Sequence, residues 1–383
     1  MVQSPTVEMR PVASRRDLVR FLELPAVFYA DDTAWVPPLL FERLRHLDPA
    51  HNPFFAHADV ALWIAERGGQ AVGRISAQIS RSAQGRDGYD REGHFGFLEA
   101  EDSVETFAAL LGTAEAWLRA RGAVRSLGPF SLSINDECGL LIDGFETPPF
   151  VMMGHARRYY ATRVEQQGYA KAKDIVAYSY DLTAEPSPSL EAFMGKVRSL
   201  PGVTFRSMDP RRFDQEIAEV VRLFNDAWAG NWGFVAMSDD DLRYLARNVR
   251  RLLRPGDVAF GELDGTAVAM AVCLPNINEA IADFGGRLLP LNWLKLLWRL
   301  EVAGLKTARL PLMGVARRHQ GTALGAALML GVIERVREWH RADGTRIAEL
   351  SWILEENRPM RRMIELVGGR PYKNYRIYQK DLV

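Results

Sequence analysis

Val315-Ala316-Arg317-Arg318-His319-Gln320-Gly321-Thr322-Ala323-Leu324-Gly325 is the stretch on which the reading of this chain turns. It follows the apolar run Ala308–Gly314, which ends in Met313 and Gly314, and it opens a helical pattern that continues to about Ala342. A strand that closes in a basic, small-residue turn and passes into a helix presents free backbone N–H groups at a positive dipole end. Such a turn is a ready anion site, and small residues let the backbone approach a diphosphate closely. A capped helix after a buried strand shares this pattern, so the loop alone says only that an anion can bind.

Outward from the loop, one order of elements occurs twice. Glu115–Gly122, around Trp117, and Arg337–Gly344, around Trp339, each end a helical pattern at glycine. Upstream of each stands a hairpin-like pair of apolar runs, Val60–Ala65 with Val72–Ile79 and Val258–Leu263 with Ala267–Leu274. The turns fall at Gly68-Gly69 and Asp264-Gly265. Downstream, a helix ends at Gly168 or at Gly368-Gly369, and a Lys- and Tyr-rich strand follows. This is a mixed α/β order present in both halves. Thr183-Ala184-Glu185-Pro186-Ser187-Pro188-Ser189 has linker composition and predicts domains at 1–183 and 190–383. The halves differ at the loop, where the first carries Glu99-Ala100-Glu101-Asp102-Ser103, carboxylates that would repel a diphosphate.

Bulk properties narrow the function classes. The 383 residues balance 48 basic against 48 acidic side chains, which argues against global attraction to nucleic acid. Cys138 and Cys273 form no metal-ligand spacing, so no metal is expected and a reduced, cytoplasmic protein is the simplest expectation. Met1–Glu8 has no apolar core of a signal peptide, and Leu288–Leu300 is too short and too charged to span a bilayer.

The loop resembles the pyrophosphate loop of the GNAT acyl-CoA N-acyltransferases, Gln/Arg-x-x-Gly-x-Gly/Ala, with Gln320, Ala323 and Gly325 at the key positions. Ala323 stands where glycine is usual. The likeness runs through the last 70 residues or so: a strand over Arg346–Leu354, Asn357 at the start of the next helix, and Gly368-Gly369 at its close. It implies two tandem GNAT-like domains, each a mostly antiparallel sheet with a splayed central strand pair flanked by helices. It further implies acyl-CoA or acetyl-CoA as co-substrate, with the pantetheine arm pairing with exposed backbone of the splayed strand. Met313, Gly314, Val315, Arg317, Arg318, Gln320, Gly321, Thr322, Ala323, Leu324, Gly325 and Asn357 are the implied contacts. Asn357 is equally a plain N-cap before Pro359. Ile364 stands where many GNAT enzymes place the Tyr that protonates the departing thiolate, and among the tyrosines of the following strand Tyr372 is retained as a candidate.

Amine attack on a thioester needs a neutral amine, hence a proton acceptor. Glu349, inside an otherwise apolar strand, fits as that base or as the buried partner of an Arg. Glu279, at the hairpin end in Asn276–Glu279, is the second candidate. Direct attack in a ternary complex is expected, since neither cysteine shows an activating base. The segment Gly285–Lys306 is rich in Leu and Trp, with Lys295, Arg299 and Lys306 near one helical face. It reads as a core or inter-domain helix, or as a wall for a fatty chain or a peripheral contact (288–306) with the inner membrane surface. The whole-chain pattern also resembles a bacterial family of two-GNAT proteins reaching the ceramide synthases, which acylate a long-chain amino alcohol. The amine acceptor is therefore a sphingoid base, or, alternatively, a small amine or protein lysine that is acetylated. A non-catalytic CoA-binding scaffold is the third alternative.

Overall fold

The computed structural model describes residues 6–81, 92–250 and 252–382; the first five residues of the N-terminal segment discussed above lie outside it. The chain forms two compact units, one of residues 1–176, 281–292 and 373–383, the other of 177–280 and 293–372. Neither unit is one continuous stretch: beyond the Thr183–Ser189 segment, the first unit takes up residues 281–292 and the chain's last eleven positions.

In the first unit, strand β1 (Val7–Pro11) leads into helix α1 (Arg15–Glu23), which Ser14 and Asp17 cap reciprocally. Strands β2 (Ala58–Arg67), β3 (Gln70–Ser80) and β4 (Glu92–Ala100) continue the sheet. Helix α2 (Val104–Arg119) connects β4 to β5 (Arg125–Gly128) and packs on β3 and β4. Pairing is antiparallel from β1 to β4 and parallel between β4 and β5. That parallel pairing covers only Glu92–His94 against Arg125–Leu127. Beyond it the fork is closed by the unit's own chain. The Phe130 N–H donates to the Phe95 carbonyl at 2.8 Å, and the Gln78 side-chain amide donates to the carbonyls of Phe130 (2.7 Å) and Leu132 (3.1 Å). Gly96 allows this close approach, since a Cβ there would lie 1.7 Å from the Phe130 oxygen.

Strand β6 (Leu140–Asp143), helix α3 (Tyr160–Gln166) and strand β7 (Ala170–Asp181) follow. The chain's last strand completes the unit: Tyr378–Asp381 pair antiparallel with Arg125–Gly128, and Asn374–Arg376 with Leu140–Asp143. Its charges are matched where they are covered. Lys373 Nζ donates to the carbonyls of Gly144 (2.6 Å) and Thr147 (2.7 Å), Arg376 forks onto Asp174 (2.8 and 3.1 Å), and Lys380 meets Glu115 at 2.8 Å.

The second unit repeats the plan. Helix α4 (Pro188–Arg198) starts at its N-cap Ser187, within the linker-like segment. After β8 (Val203–Ser207) come helices α5 (Phe213–Trp228) and α6 (Asp239–Val249), then the hairpin β9 (Val258–Leu263) and β10 (Thr266–Pro275). Helix α7 (Asn292–Trp298) precedes β11 (Thr307–Val315), helix α8 (Ala323–Ala342), β12 (Ile347–Leu354) and α9 (Arg358–Leu366), after which the chain enters its last strand, β13 (Arg370–Asp381), already described from Lys373 onward with the first unit. The sheet runs β8-β9-β10-β11-β12, antiparallel as far as β11 and parallel between β11 and β12. Helix α8 packs across β8 to β11, and Gly331 lets the Phe205 ring lie against it. The mixed α/β architecture with a forked parallel pair in each half is the one the sequence pattern predicts.

The apolar insertion differs from the expected single helix. Regular α-helix stops at Trp298, five residues (Arg299–Ala303) continue in wider turns, and Gly304 at φ +68° ends the segment. The Arg299 guanidinium donates to the Ala280 carbonyl at 2.6 Å.

Candidate active site

The basic loop joins β11 to α8 as expected. Arg317–His319 form one tight turn, Gly321 adopts φ +72°, and Thr322 caps the helix by accepting from the Gly325 N–H at 3.0 Å. Three anchors fix the loop: Ala316 N–H to Val268 O (2.7 Å), Arg317 N–H to the Asp226 carboxylate (2.8 Å), and the Gln320 amide to Ala227 O (2.8 Å). Among the described residues, the N–H groups of Gly321, Ala323 and Leu324 meet no acceptor. Gly321, Thr322 and Ala323 are exposed, and so are Arg317 and Arg318. The result is a rigid, solvent-facing cradle of donors at the positive end of a 20-residue helix. Met313, Gly314 and Val315 are buried behind it, and a Cβ on Gly314 would strike the Trp228 ring at 2.5 Å. His319 accepts from Arg318 at 3.0 Å.

From this loop β11 runs back to the fork. Pairing with β12 extends from Thr307↔Ile347 to Leu310↔Leu350 and stops at Pro311, which has no N–H to give. Beyond that point Pro311, Leu312, Trp352 and Ile353 are only half-buried. The open fork and the anion cradle therefore lie at successive positions along one strand.

At the fork's vertex Arg309 and Glu349 face each other across the parallel register, 1% and 0% exposed. Ser351 Oγ donates to Glu349 at 2.6 Å and accepts from Arg309 Nε at 2.9 Å; Arg309 Nε stands 3.5 Å from the carboxylate. The Tyr372 hydroxyl donates to the other carboxylate oxygen. Tyr372 is half-buried, so the network has one end that is not sealed. Burial of a carboxylate is tolerated here because each carboxylate oxygen has a donor and the charge has a partner.

The other candidates occupy different surroundings. Glu279 accepts from the N–H groups of Lys306 (2.9 Å) and Thr307 (2.8 Å), so its carboxylate holds the start of β11. Asn357 caps α9, accepting from Met360 N–H at 3.2 Å. Ile364 is fully buried, with Gly369 closed over it; position 364 is a packing position.

Four findings were not visible in the motifs. The fork vertex joins Arg309 to Glu349 and Ser351, a pairing of residues 40 apart. Cys273 has a buried neighbour, His340, whose imidazole lies 3.2 Å from Asp257; burial opposes its charge, yet Cys273 and Asp257 push its pKa up to about 10. All three are sealed from solvent. Glu99, expected in a loop, lies in β4 and accepts from the Tyr29 and Tyr160 hydroxyls at 2.8 Å each. Burial raises its pKa to about 7 against the opposing pull of Arg74 and the two hydroxyls. Arg157 is held by the Phe28 carbonyl and the Asp31 carboxylate.

No family model matches the chain. Over 373 residues it is 46% identical to the bacterial ceramide synthase of Caulobacter vibrioides (strain NA1000 / CB15N), covering 97% of each chain. The chain belongs to the family of this ceramide synthase, and its fold is that of tandem GNAT proteins. It is an N-acyltransferase. Protein YghO of Escherichia coli (strain K12) is 43% identical over 377 residues, 98% of this chain and 95% of that one. Among solved structures, a tandem GNAT protein from the clavulanic acid biosynthesis pathway superposes with TM-score 0.59 at 16% identity, covering 98% and 99% of the two chains. A GCN5-related N-acetyltransferase from Sphaerobacter thermophilus gives 0.54 at 15%, covering 98% and 96%. At such identities these two speak to the fold alone. Among the described residues, no group of three His, Cys, Asp or Glu is placed to hold a metal, and no helix is long and apolar enough to cross a membrane.

Proposed function

We propose that the second unit binds an acyl-CoA and transfers its long acyl chain to the primary amine of a long-chain amino alcohol. The observation that carries this reading is the cradle of three free N–H groups in the loop that directly follows the strand carrying the open fork. The diphosphate sits on Gly321–Leu324 with Arg317 and Arg318 beside it, and the thioester reaches the fork past Leu310 and Leu350. The 46% identity to a ceramide synthase across the whole chain supports this acceptor class.

The amine nitrogen forms the new bond to the carbonyl carbon, the C–S bond breaks, and the sulfur leaves as thiolate. One proton must leave the amine and one must reach the thiolate. Glu349 is sealed, so protons reach it only through the Tyr372 hydroxyl bonded to it; Arg309 holds the carboxylate in place and Glu279 anchors β11. The test is a turnover assay with acetyl-CoA and palmitoyl-CoA against sphinganine, following free thiol and amide product. Higher kcat/KM with the long donor is expected; acetyl-CoA as the better donor would overturn the substrate class. Unchanged CoA affinity after Gly321→Trp with Ala323→Trp would overturn the cofactor site.

A further inference from the structure

The surface of the second unit carries an apolar face that its own core does not use. Trp293, Leu294, Leu297 and Trp298 on α7 are 43%, 48%, 49% and 58% exposed, and Val302 is 71% exposed. At 100° per residue the four helical positions span about 140° of one side, with Lys295 at the edge of that arc and Leu296 on the inner side. The face is held outward. Arg299, one residue after the helix, is fixed to the Ala280 carbonyl, and Leu305 is buried just beyond Gly304.

Five large apolar side chains at this exposure leave on the order of 500 Å² of contiguous apolar surface, more than a soluble monomer ordinarily shows without a use for it. A stable dimer needs about 800 Å² from each partner, arranged on a broad face rather than on one short convex ridge. The charges point the same way. Lys295, Arg299 and Lys306 stand in this segment against the single acid Glu301, and Lys295 and Lys306 are exposed. Trp on a ridge flanked by Lys matches the two zones of a bilayer surface, acyl boundary below and anionic headgroups above.

We infer that α7 and the turn after it form a membrane-docking element that seats the second unit on an anionic lipid surface. The ridge inserts Trp293, Leu297 and Trp298 to the depth of the acyl boundary, and Lys295 and Lys306 meet the headgroups. The inference stands on this face alone and does not require the catalytic assignment.

The experiment is vesicle flotation of the full chain, without substrate, on phosphatidylglycerol/phosphatidylcholine vesicles and on pure phosphatidylcholine. Binding to the anionic vesicles is expected to fall at least tenfold in Leu294→Ser/Leu297→Ser/Trp298→Ser. It should fall about fivefold in Lys295→Glu alone and in 0.5 M salt. The substituted side chains are exposed, so the variants should melt with the wild type, and melting curves check this. Trp fluorescence quenching by brominated lipid gives a second readout in the wild-type chain. Absence of wild-type flotation, or equal flotation of the triple variant, would sink the inference. A wild-type dimer in sedimentation velocity that the triple variant dissociates would overturn it in favour of a second copy.

Discussion

Gly325→Ala provides the sharpest probe of the anion cradle. A Cβ at this position would lie 2.0 Å from the His319 carbonyl oxygen and 3.3 Å from Thr322 Oγ1. Ordinary carbon–oxygen contact needs more than 3 Å, so the carbonyl must retreat by roughly 1 Å. That carbonyl also accepts from Thr322 Oγ at 2.7 Å, so its retreat opens the turn and displaces the N-cap. Overpacking of this kind costs about 1–3 kcal/mol. Because the strained turn carries the free donors, the loss should appear in ligand affinity, where about 1.4 kcal/mol is tenfold. Calorimetric titration with CoA should therefore show affinity reduced about ten- to a hundredfold. Gly321→Ala is the matched control: nothing lies within 4 Å of its Cβ, and only the φ of +72° resists, at roughly 1 kcal/mol. It should lose fivefold or so. Wild-type CoA affinity in Gly325→Ala, with an unchanged melting temperature, would refute the argument.

Three further tests address the chemistry and the buried charges. Glu349→Gln and Tyr372→Phe should each lower kcat by about 10²–10³ while leaving CoA affinity intact, and the double variant should be no worse than either, because the proton path is shared; additive losses would show two separate roles. Glu99, raised from 4.5 to about 7 by burial, keeps its proton in the folded state across a range where the unfolded chain has released it. The native state binds more protons there, so stability should fall by roughly 3 kcal/mol as pH rises from 4.5 to 7. Denaturant titrations of Glu99→Gln, which keeps an acceptor for both tyrosines, should lack that slope. His340 has the opposite charge on protonation but the same sign of effect. Its pKa of about 10 lies above the unfolded value, so its contribution is complete below about pH 6.5 and lost as pH climbs toward 10. Thermal melts of Asp257→Asn should start lower at neutral pH and decline less over this window.

The strands and helices were legible because their signals are local. The apolar run Val258–Leu263, the turn at Asp264-Gly265 and the small residues of the loop each act within a few positions. Asn357 was readable as a cap for the same reason. Sequence reasoning placed Glu349 correctly as an isolated carboxylate in an apolar strand, and a buried Arg partner was foreseen as a class of residue. Which Arg was not, because the parallel register that brings Arg309 opposite Glu349 depends on a helical crossover of the whole of α8. The same holds for Tyr372, whose side chain reaches β12 from a strand beginning after another helix. Glu99 was misplaced into a loop because its neighbours Glu101 and Asp102 are exposed-type residues; the partners that bury it, Tyr29 and Tyr160, come from 70 and 61 residues away. The last strand joins the first unit through Lys373, Arg376 and Lys380, charges that composition alone assigns to a solvated edge.

The closed fork of the first unit limits what engineering could do with this duplication. The Phe130 N–H already pairs, from within the chain, with the Phe95 carbonyl, a backbone partner that an incoming pantetheine arm would seek, and the Gln78 amide holds the carbonyls of Phe130 and Leu132. Transplanting the basic loop onto Glu99–Ser103 would thus create an anion anchor with no groove leading from it. Restoring a second active centre would require removing the plug as well as adding the anchor, two changes that are useless singly. An exchange of surface charges alone would leave that plug in place.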